Sequence, residues 1–233
     1  MLLIIASETQ ISARIQDFGH FLGKVIFPIG IEDRLISNES QVVLEEIRLL
    51  IEIRWHGRGG QGVVTASRLL AHAALLDGKY VQAFPEFGPE RRGAPVIGYT
   101  RISDEPIMIH SHIYNPDIVI VVDPTVMSSV DVTQGLVEDG TVVANTEESP
   151  EDLKDSLGVE RAKVYTVNAK RIALDILKRP IYNTAMLGAL IRASPLVTLE
   201  SISKVVMERF PGTIGEKNVA VIKRAYEEAK EIE

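Results

Sequence analysis

The residues that could do chemistry gather first around three glycines. Gly57, Gly59 and Gly62 stand at G-x-G-x-x-G spacing within His56-Gly57-Arg58-Gly59-Gly60-Gln61-Gly62. Glycine lets the backbone turn tightly and brings N–H groups close to a ligand. A helix that begins after such a turn adds unpaired N–H groups and the positive end of its dipole. Together these make an anion site, most often for phosphate or pyrophosphate. The same glycines also allow close strand–helix packing with no ligand, and the motif alone permits both readings. A dinucleotide would need an acid at the end of the second strand to hold its ribose hydroxyls. That strand ends Val81-Gln82-Ala83-Phe84-Pro85, and the nearest acid, Glu86, lies beyond the proline. The side chains of His56, Arg58 and Gln61 are also more than a plain dinucleotide fingerprint carries.

A second cluster is Phe84-Pro85-Glu86-Phe87-Gly88-Pro89-Glu90-Arg91-Arg92-Gly93-Ala94-Pro95. In an open α/β sheet this loop leaves the carboxyl end of the second strand, beside the glycine loop. Arg91 or Arg92 could then present a fork of donors to a phosphate or carboxylate. The alternative is a solvated turn whose proline and glycine content suits a docking surface. His110 and His112, two apart, would share one face of a strand. They could begin a metal site, but no third ligand is evident. The expectation is therefore an exposed or interface strand and no metal. Asp123, at the end of a buried run, could serve a crevice as a carboxylate; such a residue more often caps the next helix, here with Pro124 at its first position. No Ser–His–Asp order or nucleophile elbow occurs, so no catalytic side chain is assigned.

These residues need a frame. Ile51–His56 reads as a strand, Gly57–Gly62 as the loop, and Val63–Leu76 as a helix whose apolar positions can face a sheet, with Gly78 closing it. Tyr80–Phe84 is a second strand. Strand, glycine turn, helix and strand form the opening βαβ unit of a doubly wound fold. Val96–Arg101 and Ile107–His110 alternate like exposed antiparallel strands around Ser103-Asp104. Asp117–Val122 is β-branched after its first residue, as in a strand buried on both faces. A helix is expected through Met127–Leu136, a strand at Thr141–Ala144, a short helix at Pro150–Leu157 and a strand at Lys163–Val167. The last third carries helical apolar spacing at Ala169–Leu177, Tyr182–Arg192, Leu199–Arg209 and Gly215–Glu231. The fold class is thus α/β: a Rossmann-like three-layer fold with a mostly parallel sheet, the glycine loop after the first core strand and a helical C-terminal third. Residues 1–50 lack a clean period beyond a helical patch at Glu39–Leu50. They form an extension or reflect a start assigned too early, ahead of a domain spanning 51–233.

Composition narrows the function. The chain has 233 residues, a formal net charge of −7 and no cysteine. The negative charge argues against general nucleic-acid binding, which needs a basic face. Without cysteine there is no disulfide, no thiolate nucleophile and no thiolate-held iron–sulfur cluster in this chain, which fits a cytoplasmic protein. Apolar runs such as Ile118–Val122 fall far short of the roughly 20 residues a membrane span needs.

From Ile51 to about Asp123 the chain resembles the gamma subunit of pyruvate and related 2-oxoacid:ferredoxin oxidoreductases. The resemblance runs through His56–Gly62, Gly78-Lys79-Tyr80-Val81-Gln82-Ala83-Phe84-Pro85, Glu90-Arg91-Arg92-Gly93-Ala94-Pro95 and Asn115-Pro116-Asp117, and resumes at Asn183-Thr184-Ala185-Met186-Leu187-Gly188-Ala189. Residues 1–50 show nothing of that pattern. The resemblance implies a subunit, inactive alone, of an enzyme that converts a 2-oxoacid, coenzyme A and oxidised ferredoxin to acyl-CoA, carbon dioxide and reduced ferredoxin. It implies alpha, beta and delta-type partners that carry thiamine diphosphate, magnesium and iron–sulfur clusters, while this chain holds no cofactor alone. His56, Gly57, Arg58, Gly59, Gly60, Gln61, Gly62, Arg91 and Arg92 are then expected to contact coenzyme A phosphates or to shape an interface with the catalytic subunits. Two other readings stand beside it: a free-standing NAD-dependent oxidoreductase and a regulatory α/β binding module.

Overall fold

The structure, a computed structural model, describes residues 50–86 and 93–232. Arg91, Arg92 and the extension up to residue 49 lie outside the described residues. The strands are β1 (Leu50–Arg58), β2 (Tyr80–Pro85), β3 (Pro95–Ser103), β4 (Ile118–Val121), β5 (Thr141–Asn145), β6 (Lys163–Val167) and β7 (Lys230–Glu231). The helices are α1 (Val63–Leu76), α2 (Pro150–Leu157), α3 (Ala169–Leu177), α4 (Asn183–Ala193), α5 (Leu199–Arg209) and α6 (Thr213–Glu228), with a 3-10 turn at Pro124–Ser128. The strands form one sheet in the order β2-β3-β1-β4-β5-β6-β7. β1, β4, β5 and β6 are mutually parallel; β3 and β7 run the other way.

The parallel strands are buried on both faces because their branched residues alternate between two cores. Ile118, Ile120, Val143 and Val167 face α1 and α3–α6, while Val119, Val121, Val142 and Val164 face the 3-10 turn and α2. Helix α4 is buried along Asn183–Ile191 and lies inside the helical layer. It approaches α6 so closely that a Cβ on Gly188 would lie 2.1 Å from the Ile222 carbonyl oxygen.

Four expectations need correction. β2 does not pair with β1: β3 inserts between them, antiparallel to both. β3 is accordingly buried rather than exposed, with Gly98 to Ser103 covered on both sides. Ile107–His110 is not a strand; Gln82 Nε2 donates to the Ile107 and Ile109 carbonyls, and Arg101 Nη2 donates to that of His112 just beyond the segment. Met127–Leu136 is not one helix. Asp131 makes a local turn with Thr133, and the Val132 and Gln134 carbonyls accept from Arg54 Nη2 at 3.0 and 2.5 Å, so they are lost to a helical ladder. Among the described residues no helix is long and apolar enough to cross a membrane.

β1 leads into α1 on one face of the sheet, and β4 leads into the 3-10 turn on the other. The carboxyl ends of these neighbouring parallel strands therefore flank a topological switch point, where open α/β sheets bind ligands.

Candidate functional site

The glycine loop sits at that switch point. β1 continues in register with β3 as far as Arg58↔Pro95. The pairing then runs on through Gly59 N to Ala94 O at 2.8 Å and Gly93 N to Gly59 O at 3.1 Å. The end of the proline-rich loop is therefore stitched to the glycine loop. Gly57 serves packing: a Cβ there would meet Val63 Cγ2 at 2.6 Å and Val122 Cβ at 3.3 Å. Gly60 and Gly62 serve the turn, with φ of 92° and 79°. Gly62 is the N-cap of α1 and brings no side-chain cap, and the first turn carries no acid. The helix start is left open toward solvent, with a positive dipole end and no built-in anion.

The side chains of the loop are engaged internally. Arg58 Nε and Nη2 donate to Thr125 Oγ1 and O, at 2.7 and 3.1 Å, and Nη1 donates to Gly93 O at 3.0 Å. Gln61 Oε1 accepts from Arg58 N at 2.8 Å, while its Nε2 donates to Asp123 Oδ2 and to Tyr182 Oη. Asp123 Oδ1 accepts from Thr125 N at 2.9 Å, so Asp123 caps the 3-10 turn with Pro124 behind it. Burial alone would raise the Asp123 carboxyl, but donation from Gln61 and Thr125 and the nearby Arg58 charge outweigh it and hold it below its ordinary value. Arg58 and Gln61 thus shape the loop, and what the loop offers a ligand is its backbone.

His56 goes elsewhere. Strand alternation sends Ile53 and Trp55 toward α1 and Arg54 and His56 to the opposite face. There His56 lines a separate cavity of about 440 Å³ with Arg54, Glu86, Tyr99, His112 and Asp131. His56 Nε2 accepts from Arg54 Nε at 3.0 Å, which places its proton on Nδ1. Burial, with the adjacent Arg54 charge, pushes its pKa down to about 3. Glu86 also belongs to this face and accepts from Tyr99 Oη at 3.1 Å. Burial and Glu86 push the Tyr99 phenol up to about 12. The acid that a dinucleotide site would need therefore lies across the sheet from the helix start.

On the glycine-loop side, a cavity of about 520 Å³ opens at the start of α1. Gly60, Gln61, Gly62 and Thr65 form one wall; the others come from the ends of α3, α4, α5 and α6. Three cations line it: Arg179, Arg209 and Lys217. No acid does, and among the described residues none of the three cations pairs with a carboxylate. Asn183, 4 % exposed, donates from Nδ2 to Gly62 O at 3.2 Å, and its Oδ1 is buried with no hydrogen-bond partner. In the sequence Asn183 stood out only within the stretch that resembles the gamma subunit, and the three cations, which no local motif connects, were missed. His110 and His112 are exposed, and no cluster of three metal-ligating side chains occurs among the described residues.

Fold and site define a Rossmann-like α/β domain with an open phosphate-type helix start and no dinucleotide acid beside it. The chain belongs to the pyruvate ferredoxin/flavodoxin oxidoreductase family, whose model matches residues 52–228. It is 52% identical over 184 residues to the common gamma subunit of the pyruvate/ketoisovalerate oxidoreductases of Pyrococcus furiosus, covering 79% of this chain and 100% of that one. It is 52% identical over 181 residues to the pyruvate synthase subunit PorC of Methanothermobacter marburgensis, covering 78% of this chain and 98% of the relative. The crystal structure of the pyruvate oxidoreductase subunit PORC of Thermotoga maritima superposes with a TM-score of 0.72 at 44% identity, over 80% of this chain and 100% of that one.

Proposed function

We propose that this chain is the gamma-type subunit of a 2-oxoacid:ferredoxin oxidoreductase. The complex takes a 2-oxoacid, coenzyme A and oxidised ferredoxin, releases carbon dioxide and acyl-CoA, and passes the electrons to ferredoxin. The observation that carries the reading is coverage: gamma subunits of this enzyme class align with this chain from end to end of their own length at about half identity. Having no cysteine, the chain has no thiolates to hold an iron–sulfur cluster. Clusters, thiamine diphosphate and magnesium reside on alpha, beta and delta-type partners in this proposal, which runs in the cytoplasm. The glycine loop and Arg91-Arg92 contact coenzyme A phosphates or shape an interface with the catalytic subunits. Residues 51–233 are the working domain, and residues 1–50 are an extension to it or reflect a start assigned too early.

The NAD reading is not favoured, because Glu86 faces the opposite side of the sheet. Purification of the tagged chain without oxygen tests the proposal. Cysteine-rich and thiamine-diphosphate-binding chains are expected to co-elute in a brown complex that reduces ferredoxin with a 2-oxoacid and coenzyme A. A colourless chain eluting alone contradicts it.

A further inference from the structure

The cavity on the opposite face of the sheet is built around a buried cation that has no counter-ion. Arg54 is 7 % and His56 3 % exposed. Arg54 donates from Nε to His56 Nε2 and from Nη2 to the Val132 and Gln134 carbonyls. Among the described residues its Nη1 has no hydrogen-bond partner and its guanidinium pairs with no carboxylate; His56 Nδ1–H is likewise without an acceptor. Neither nitrogen is sealed in protein, because Asn183 Oδ1 is the one fully enclosed side-chain polar atom without a partner among these residues. Both therefore meet the space that Arg54 and His56 line. Burial lowers the Arg54 pKa more than the charges of Tyr99, Asp131 and Glu86 raise it. A buried guanidinium without an anion is unfavourable, and a bound carboxylate relieves it.

The rest of the wall is of two kinds. Glu86 and Asp131 line the cavity, and each is held from outside it. Glu86 Oε2 accepts from Tyr99 Oη at 3.1 Å, and Asp131 Oδ1 accepts from Thr133 N and Oγ1 at 3.0 and 2.8 Å. Each keeps a second oxygen with no partner among the described residues. Two carboxylates beside one cation disfavour a polyphosphate. Aromatic rings form the other wall: Tyr99 stacks on His112 at 5.5 Å between centroids, and His112 meets Tyr114 at 6.5 Å. Tyr114 is 69 % exposed, ring surface that the core leaves uncovered. The volume, about 440 Å³, lies within the range of roughly 300–1,000 Å³ usual for small-molecule sites.

We infer that this cavity binds a zwitterionic α-amino acid with an apolar side chain: Arg54 Nη1 and His56 Nδ1–H donate to its carboxylate, Glu86 and Asp131 accept from its ammonium group, and the aromatic wall covers its side chain. A zwitterion uses both signs of charge in the cavity. A plain carboxylate would face the two acids with nothing to offer them, and a plain amine would leave Arg54 without an anion. The site shares no lining residue with the cavity at the start of α1 and lies across the sheet from it. It does not depend on the function proposed above.

Calorimetric titration of the purified full-length chain with L-phenylalanine and L-leucine tests the inference. At least one of them is expected to bind. Its counterpart without the amino group, 3-phenylpropionate or 4-methylpentanoate, is expected to bind roughly tenfold more weakly or worse, as loss of a hydrogen bond to a charged group predicts. Arg54→Met is expected to abolish binding of both. Because Arg54 also holds the Val132 and Gln134 carbonyls, a second variant leaves the fold alone. Glu86→Gln/Asp131→Asn keeps an acceptor for Tyr99 and for Thr133 and removes both negative charges. It is expected to weaken amino-acid binding roughly tenfold and to erase the preference over the counterpart without the amino group. No binding of either amino acid, equal binding of the counterpart by the wild-type chain, or wild-type affinity in the double variant overturns the inference. The readout is binding rather than turnover, so its failure leaves the proposed function untouched.

Discussion

His56 and Asp123 show how single residues near the loop divide their work. His56 is neutral in the fold, with its pKa lowered to about 3 by burial and by Arg54. In the unfolded chain it titrates near its ordinary value of about 6.5. Between these values the unfolded state takes up a proton that the native state refuses, so stability falls as the pH is lowered through that window. A tenfold difference in proton affinity between the two states is worth about 1.4 kcal/mol. His56→Gln keeps an acceptor for Arg54 but cannot titrate, so its stability is expected to fall less steeply than wild type between about pH 6.5 and about pH 4 in denaturant titrations. Parallel slopes would show that another group governs the acid limb. Asp123→Ala removes a cap and the acceptor of Gln61. We expect a loss of about 1–2 kcal/mol, the usual cost of a lost cap, and faster amide hydrogen exchange across Gly59–Gly62. The spacing of Gly57, Gly59 and Gly62 and the Asp123-Pro124 cap were legible in the sequence, because they depend on neighbours. The engagement of Arg58 and Gln61 was not, because Gln61 meets Asp123 and Tyr182 across separations of 62 and 121 residues.

Elements set the geometry that the loop exploits. The insertion of β3 between β1 and β2 turns the expected opening βαβ unit into an antiparallel edge, and it carries Glu86 to the far face. Sequence periodicity could not reveal this, since alternation describes the faces of a strand and says nothing of its neighbours. The same limit explains Ile107–His110, whose pattern suits a strand but whose backbone is bonded by Gln82. Buried β-branched runs such as Ile118–Val121 were legible because burial on both faces leaves a continuous apolar signature. The α4–α6 contact gives a sharp test. Adding a methyl group at Gly188 would press it to 2.1 Å from the Ile222 carbonyl oxygen, and neither helix backbone can yield locally. Gly188→Ala is therefore expected to cost about 1–3 kcal/mol, in line with overpacked cores, as read by urea unfolding. An unchanged midpoint would mean that the helices separate without cost.

At the scale of the whole molecule, the chain sets an uncapped helix start behind a glycine loop within a negatively charged protein that has no cysteine. Both facts suit a domain completed by other chains. The family was legible because several motifs follow one another at the right separations from Ile51 onward. Residues 1–50 carried none of them, and a chain starting at Ile51 is expected to assemble with the same partners in the same yield. The central claim, that this chain acts only as part of a larger enzyme, is tested most directly by adding it back. The partner subunits are purified without oxygen from a strain lacking this chain, and ferredoxin reduction by a 2-oxoacid and coenzyme A is measured with and without the purified chain. The account predicts little or no acyl-CoA-forming activity from either preparation alone and restored activity when they are mixed. Full activity of the partners without the chain, or turnover by the chain alone, would contradict it.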